Sequence, residues 1–133
     1  MSYETCVRIA LKADDYAKLA EAMHIEFSQG LKKQESVNAD NWLMEHQHFH
    51  ESNGKYTVFG WDWVKWVDSY DFPDLLAIKK FLHTHDCVLA TFGEFLEDLN
   101  VEENDVTQDG KVEEMREILD IRREFSVHLE KGV

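Results

Sequence analysis

The run EHQHFHE sets His46, His48 and His50 at alternate positions, so that on a strand all three imidazoles project from one face. Imidazoles so spaced can hold zinc or copper, and His83 and His85 are further donors in the same chain. No HExxH and no CxxC accompanies them. The plainer reading puts the three histidines on the solvated side of a hairpin whose other side packs Phe49. A second run, GWDWVKW, puts Trp61 and Trp63 on one strand face and Trp66 on the other. Aligned indoles can stack on bases or sugars, but aromatic side chains also fill ordinary sheet–helix cores. Core packing is the expectation here, with Trp66 the partly exposed contact residue.

Covalent chemistry finds less support. Cys6 and Cys87 lie in the apolar runs CVRIAL and CVLATF, where burial raises a thiol pKa instead of activating it. They read as small buried hydrophobes in a reducing compartment. No serine sits in a nucleophile elbow, and there is no P-loop and no GxGxxG. No catalytic residue, metal or cofactor is therefore assigned.

Carboxylates are the dominant chemistry. The formal charge of −13 is unevenly spread: residues 34–110 hold sixteen acids against Lys55, Lys65, Lys79 and Lys80, whereas 1–33 balance and 111–133 are short of balance by one. From Phe81 to Gly110 there is no Lys or Arg at all. Such a field repels nucleic acid and anionic membranes and favours a basic protein surface. Glu94/Glu97 and Glu102/Glu103/Asp105 do not follow the spacing of an EF-hand loop. The plain reading is a solvated surface; the functional one is an interaction face.

The elements that must carry these groups follow from periodicity. A chain of 133 residues, 44% apolar and 31% charged, is the size and composition of one domain with a real core. No apolar run approaches the length of a transmembrane helix, and MSYETCVRIALKADD is unlike a signal peptide, which points to a soluble cytoplasmic protein. Alternation over Glu4–Leu11 predicts a strand, and Asp14 or Asp15 the N-cap of a helix reaching about Gln29 before Gly30. Residues 31–41 read as a loop. Strands follow at Trp42–Glu51 and Tyr56–Val67, joined at Asn53-Gly54. Pro73 opens a helix whose buried stripe is Leu75, Ile78 and Leu82, and Cys87–Phe95 forms the fourth strand. Residues 96–109 read as an exposed acidic loop. Beyond it, Val112, Met115, Ile118, Ile121 and Phe125 fit a helical stripe, while Leu119, Ile121, Phe125, Val127 and Leu129 fit a strand; Asp109-Gly110 tips the reading towards a strand near 117–129. The order is an α+β, ferredoxin-like β-α-β-β-α-β sandwich, an antiparallel sheet with two helices and a C-terminal strand or helix.

The stretch VKWVDSYDFPDLLAIKKFLHTHDCVLATFGEF, followed by NDVTQDGKVEEM, resembles the YubB-like ferredoxin-fold proteins of phages, plasmids and prophages. Lys65-Trp66, the helix near 74–84, Val88–Phe92, Glu94–Asp105 and Asp109-Gly110 hold the corresponding places. The resemblance implies a mobile-element protein with no catalytic residues to carry over. Its context implies an inhibitor of host defence, such as an anti-CRISPR protein or another DNA mimic.

The expected function is thus non-catalytic: an acidic interaction protein that binds and inhibits a basic host or phage protein, one that itself binds nucleic acid. Glu94, Glu97, Asp98, Glu102, Glu103 and Asp105 carry the field, and Trp66 or Tyr70 anchors the contact. No direct contact with nucleic acid or membrane is expected, and edge strands leave a homodimer open. The alternative is a metal- or small-ligand-binding module on the His46/His48/His50 face.

Overall fold

A five-stranded antiparallel sheet organises the chain, in the order β2-β3-β1-β4-β5. The computed structural model describes residues 4–28, 42–66, 72–93, 99–121 and 125–127. Its strands are β1 (Thr5–Lys12), β2 (Phe49–Ser52), β3 (Tyr56–Val64), β4 (Cys87–Phe92) and β5 (Asn100–Asn104). The helices are α1 (Ala13–Ser28), α2 (Trp42–Glu45), α3 (Pro73–Leu82) and α4 (Lys111–Ile118), and a separate small hairpin joins β6 (Leu119–Ile121) to β7 (Phe125–Val127). Among the described residues no helix is long and apolar enough to cross a membrane.

The sheet is covered on both faces. On one, Val7, Ile9, Leu11, Phe59, Trp61 and Leu89 pack against Leu19 and Met23 of α1 and Leu75, Ile78 and Leu82 of α3. On the other, Ala10, Tyr56, Val58, Val88 and Ala90 pack against Val112 and Met115 of α4 and Leu119. We call these the front and back faces. Central β1 is consequently buried from Thr5 to Leu11, although its sequence alternates. Alternation gave the right parity, and α4 is what covers the second side.

Several local readings are corrected by packing. Residues 42–51 are not one strand: Trp42–Glu45 turn as α2, and only Phe49–Ser52 pair with β3. Asp74 fixes that turn, because its buried carboxylate accepts from the Leu43 N–H at 2.9 Å and from the Leu75 N–H at 2.9 Å. Asp14 and Asp15 lie inside the first turn of α1 instead of capping it, where negative charge still suits the helix dipole. The sheet has five strands, not four, because Asn100–Asn104, within the stretch read as a loop, pair with β4. The C-terminal region is α4 first and a short hairpin after it, not one strand. The Asn53-Gly54 turn is present, with Gly54 at φ 86 and the Asn53 Oδ1 accepting from the N–H groups of Lys55 and Tyr56.

Candidate functional site

Acids within the base-free stretch end in two different environments. Asp86 precedes β4 and is 1% exposed. Its Oδ1 accepts from the Val106 N–H at 2.6 Å and the Thr107 N–H at 2.9 Å, its Oδ2 accepts from the Thr107 hydroxyl, and Lys12 Nζ stands 2.9 Å away. Lys12 also reaches Asp109 at 2.9 Å. Burial pushes the Asp86 carboxyl up, but the hydrogen bonds from Thr107, Lys12 and Val106 together outweigh it and hold the group well below the usual carboxylate range. This knot ties the turn after β5 to the end of β1.

Glu102 and Glu103 sit on β5, an edge strand whose side chains alternate between faces. Glu103 pairs with Val88 on the back face and meets Arg116 of α4 in a bidentate bridge, with Arg116 Nη2 at 2.6 Å. The hydrogen bonds from Arg116 lower its pKa. Glu102 pairs with Leu89 on the front face, and Asp105 accepts a local bond from the Gln108 N–H at 3.0 Å. Among the described residues neither Glu102 nor Asp105 has a basic partner at ion-pair distance, and both are exposed.

A cleft of about 500 Å³ opens between β5 and the end of α3, lined by Lys79, Leu82, His83, Cys87, Leu89, Glu102, Glu103 and Asn104. Its floor is apolar; on the strand side Glu102 faces it, while Glu103, which also borders it, has its carboxylate held by Arg116 on the other face. Asn104 braces it: its Nδ2 donates to the carbonyls of Leu82 at 2.9 Å, His83 at 2.9 Å and His85 at 3.1 Å, satisfying the end of α3. Lys79 on the helical wall lies 5.5 Å over the ring of half-buried Trp66, which in turn packs on Trp61 at 5.6 Å. Burial raises the Cys87 thiol to about 11, so it faces the cleft as a neutral group. Cys6 and Cys87 lie on opposite faces of the sheet, Cys6 paired with Phe92 and Cys87 with Leu11, and no disulfide joins them.

The tryptophans depart from their expected faces. β3 carries one extra residue opposite β1, since Thr5 pairs with Val64 but Val7 with Trp61. The bulge reverses the parity after Trp61, which is fully buried, and leaves Trp63 at φ 55, 46% exposed and edge-on to Phe92 at 5.8 Å. Trp63, not Trp66, is therefore the exposed indole of the three. A bulky residue at positive φ is an outlier, and its neighbours hold it. His48 Nδ1 accepts from the Asp62 N–H at 2.8 Å, and Arg8 Nη2 pairs with Asp62 at 2.9 Å. Arg8 itself is 8% exposed and lies 4.8 Å over the Phe49 ring, across Gly60. A Cβ on Gly60 would fall 1.9 Å from the Val7 carbonyl oxygen, so no other residue leaves the strands this close.

The histidines are dispersed. His46 stacks on Trp42 at 4.7 Å and donates from Nδ1 to its carbonyl at 2.8 Å. His48 is occupied by the bulge, and His50 turns to the front face against Tyr16 at 5.1 Å. His85 stacks on Phe81 at 3.7 Å. Because 42–45 are helical, the three alternate positions never share one strand face. Among the described residues no group of three or more His, Cys, Asp or Glu side chains is arranged to hold a metal ion.

Of the expected contact residues, the structure thus brings Glu102 and Trp66 to the same side, either side of Lys79, sends Glu103 to the other, and puts Asp105 at the strand end. Glu94, Glu97, Asp98 and Tyr70 lie outside the described residues. The cleft, the Arg8–Asp62 pair and the Trp63 bulge have no motif that announces them. No protein-family model matches the chain, and no curated protein or solved structure shows a significant similarity to it.

Proposed function

We propose that this chain is a non-catalytic acidic interaction protein that binds a basic protein surface, one that itself binds nucleic acid, and competes with nucleic acid for it. One observation carries the reading: Arg8, Lys12, Lys55 and Arg116 are paired within the domain, with Asp62, Asp86, Asp109, Glu114 and Glu103, while Glu102 and Asp105 at the end of the β5 edge are not, among the described residues. Glu102 and Asp105 are thus left as exposed anions, and such charge speeds association with a cationic patch.

On this reading β2-β3-β1-β4 with α1 and α3 is a ferredoxin-like unit of the YubB-like kind, to which β5 and α4 add an acidic edge. The mobile-element origin, the cytoplasmic setting and the role as an inhibitor of host defence, anti-CRISPR or DNA mimic, belong to the same proposal. The histidine-face alternative loses its premise with the dispersal of His46, His48 and His50.

The test is capture of basic proteins from a bacterial lysate, eluted in parallel with duplex DNA and with salt. Release by DNA, together with loss of capture in a Glu102→Lys/Asp105→Lys double variant, is expected. Capture that ignores both DNA and charge reversal would overturn the proposal.

A further inference from the structure

We propose that the outer edge of β5 receives an extended segment of the basic partner by strand addition. A basic residue would stand over Glu102, further polar or basic residues at every second position over Asn100 and Asn104, and apolar residues between them over Val101 and Leu99. The inference rests on the reading of a basic partner and supplies its geometry.

Among the described residues β5 is the last strand of the sheet, so its outward N–H and C=O groups pair with no strand. Such an edge is a template for another chain. Its two faces specify what chain. On the front, Glu102 borders the cleft of about 500 Å³, whose floor of Leu82, Cys87 and Leu89 can seat the aliphatic stem of a lysine or arginine while its head meets the carboxylate. Lys79 lines the opposite, helical wall, 5.5 Å over the Trp66 ring, and the strand-side wall carries Glu102. On the back, Val101 pairs with Ala90, and Leu99 shares its parity; each is 40% exposed. With Asn100 and Asn104 flanking Glu102 on the front, and Glu103 tied to Arg116 beyond Val101 on the back, a strand that sets a basic residue over Glu102 between apolar ones meets both faces.

The opposite edge lacks this pattern: β2 offers the exposed His50, Glu51 and Ser52 and no exposed large apolar side chain. A second copy is also a poor occupant. Two β5 strands paired antiparallel about Glu102 would set carboxylate against carboxylate, and directly opposed like charges are destabilising.

The probe is a blocked peptide of about seven residues alternating Lys and Val, enough to span β5. It is compared with a peptide of the same composition in two blocks, and with one carrying Glu in place of Lys. Amide hydrogen exchange at residues 100–104 is followed by NMR. The alternating peptide should slow exchange at the outward half of these amides by roughly tenfold or more, as a new ladder does. The block and Glu peptides should not, and Glu102→Lys should abolish the effect. Equal protection by the block peptide, or protection at β2 instead, overturns the proposal, as does concentration-dependent protection of β5 without peptide, which would make a second copy the occupant. Lysine peptides that bind without protecting β5 overturn strand addition and leave the basic-partner reading intact. Failure of both lysine peptides to bind removes that reading as well.

Discussion

Asp86 and Glu102 come from the same base-free stretch, yet one is a structural anion and the other a surface one. Asp86 sits at the mouth of β4, where β1 delivers Lys12 and the turn after β5 delivers two backbone N–H groups and the Thr107 hydroxyl. Glu102 sits on the edge strand beside an open cleft, where neutralisation by a residue of the chain does not occur among the described residues. A run of acids is therefore not one electrostatic surface. Topology divides it into anions that hold the fold and anions left exposed at the sheet edge, and the division follows the donors that the neighbouring strand ends supply.

The comparison breaks most visibly if the knot is removed. Asp86→Ala leaves Lys12 beside a buried void and frees the turn over 105–110. Lys12, a quarter exposed, keeps Asp109, so the cost falls on the Val106 and Thr107 donors left without their acceptor, about 1–3 kcal/mol. Urea unfolding followed by tryptophan fluorescence should show a loss of that size, and a loss below about 1 kcal/mol would mean that the knot forms no part of the stabilising structure.

Titration sharpens the same contrast. The folded Asp86 carboxyl lies below its ordinary value of 3.8, so its contribution is present above that value and is lost as the pH falls through the folded pKa. Lys12 is shifted the other way: hydrogen bonds to Asp86 and Asp109 raise it above 10.5, so its share is complete below that value and fades only in strong base. The stability advantage of the native protein over Asp86→Asn should be level from about pH 6 to 9 and shrink below about pH 4. Unfolding curves for the two that stay parallel down to pH 3 would place the acid sensitivity elsewhere.

Much of this frame was legible in the sequence, and the illegible parts share a cause. β1, the Pro73 helix with Leu75, Ile78 and Leu82, and the Asn53-Gly54 hairpin followed from periodicity and turn chemistry, which are local. β5 did not, because Asn100–Asn104 are poor strand formers and pair only because β4 offers an edge. α2 was hidden because its stabilising acceptor, Asp74, is 31 residues from Leu43. Trp63 was misplaced because a single bulged residue reverses the parity on which the face assignment rested. Glu102 and Glu103 were read together as one acidic run, whereas strand alternation sends them to opposite faces, one to the cleft and one to Arg116.

That last division gives the smallest effect on the fold and the cleanest test of the comparison. Glu102→Lys replaces an exposed edge side chain that makes no ion pair among the described residues, so it should leave stability within about 0.5 kcal/mol of native, the range of ordinary surface substitutions. Its urea midpoint should coincide with that of the native protein while Asp86→Ala falls far below both. The same variant should lose attraction for cationic ligands, measured as earlier elution from a cationic resin and a flatter salt dependence of peptide binding. If Glu102→Lys instead unfolds the protein as Asp86→Ala does, Glu102 is a structural anion too. The β5 edge would then belong to the fold rather than to a partner.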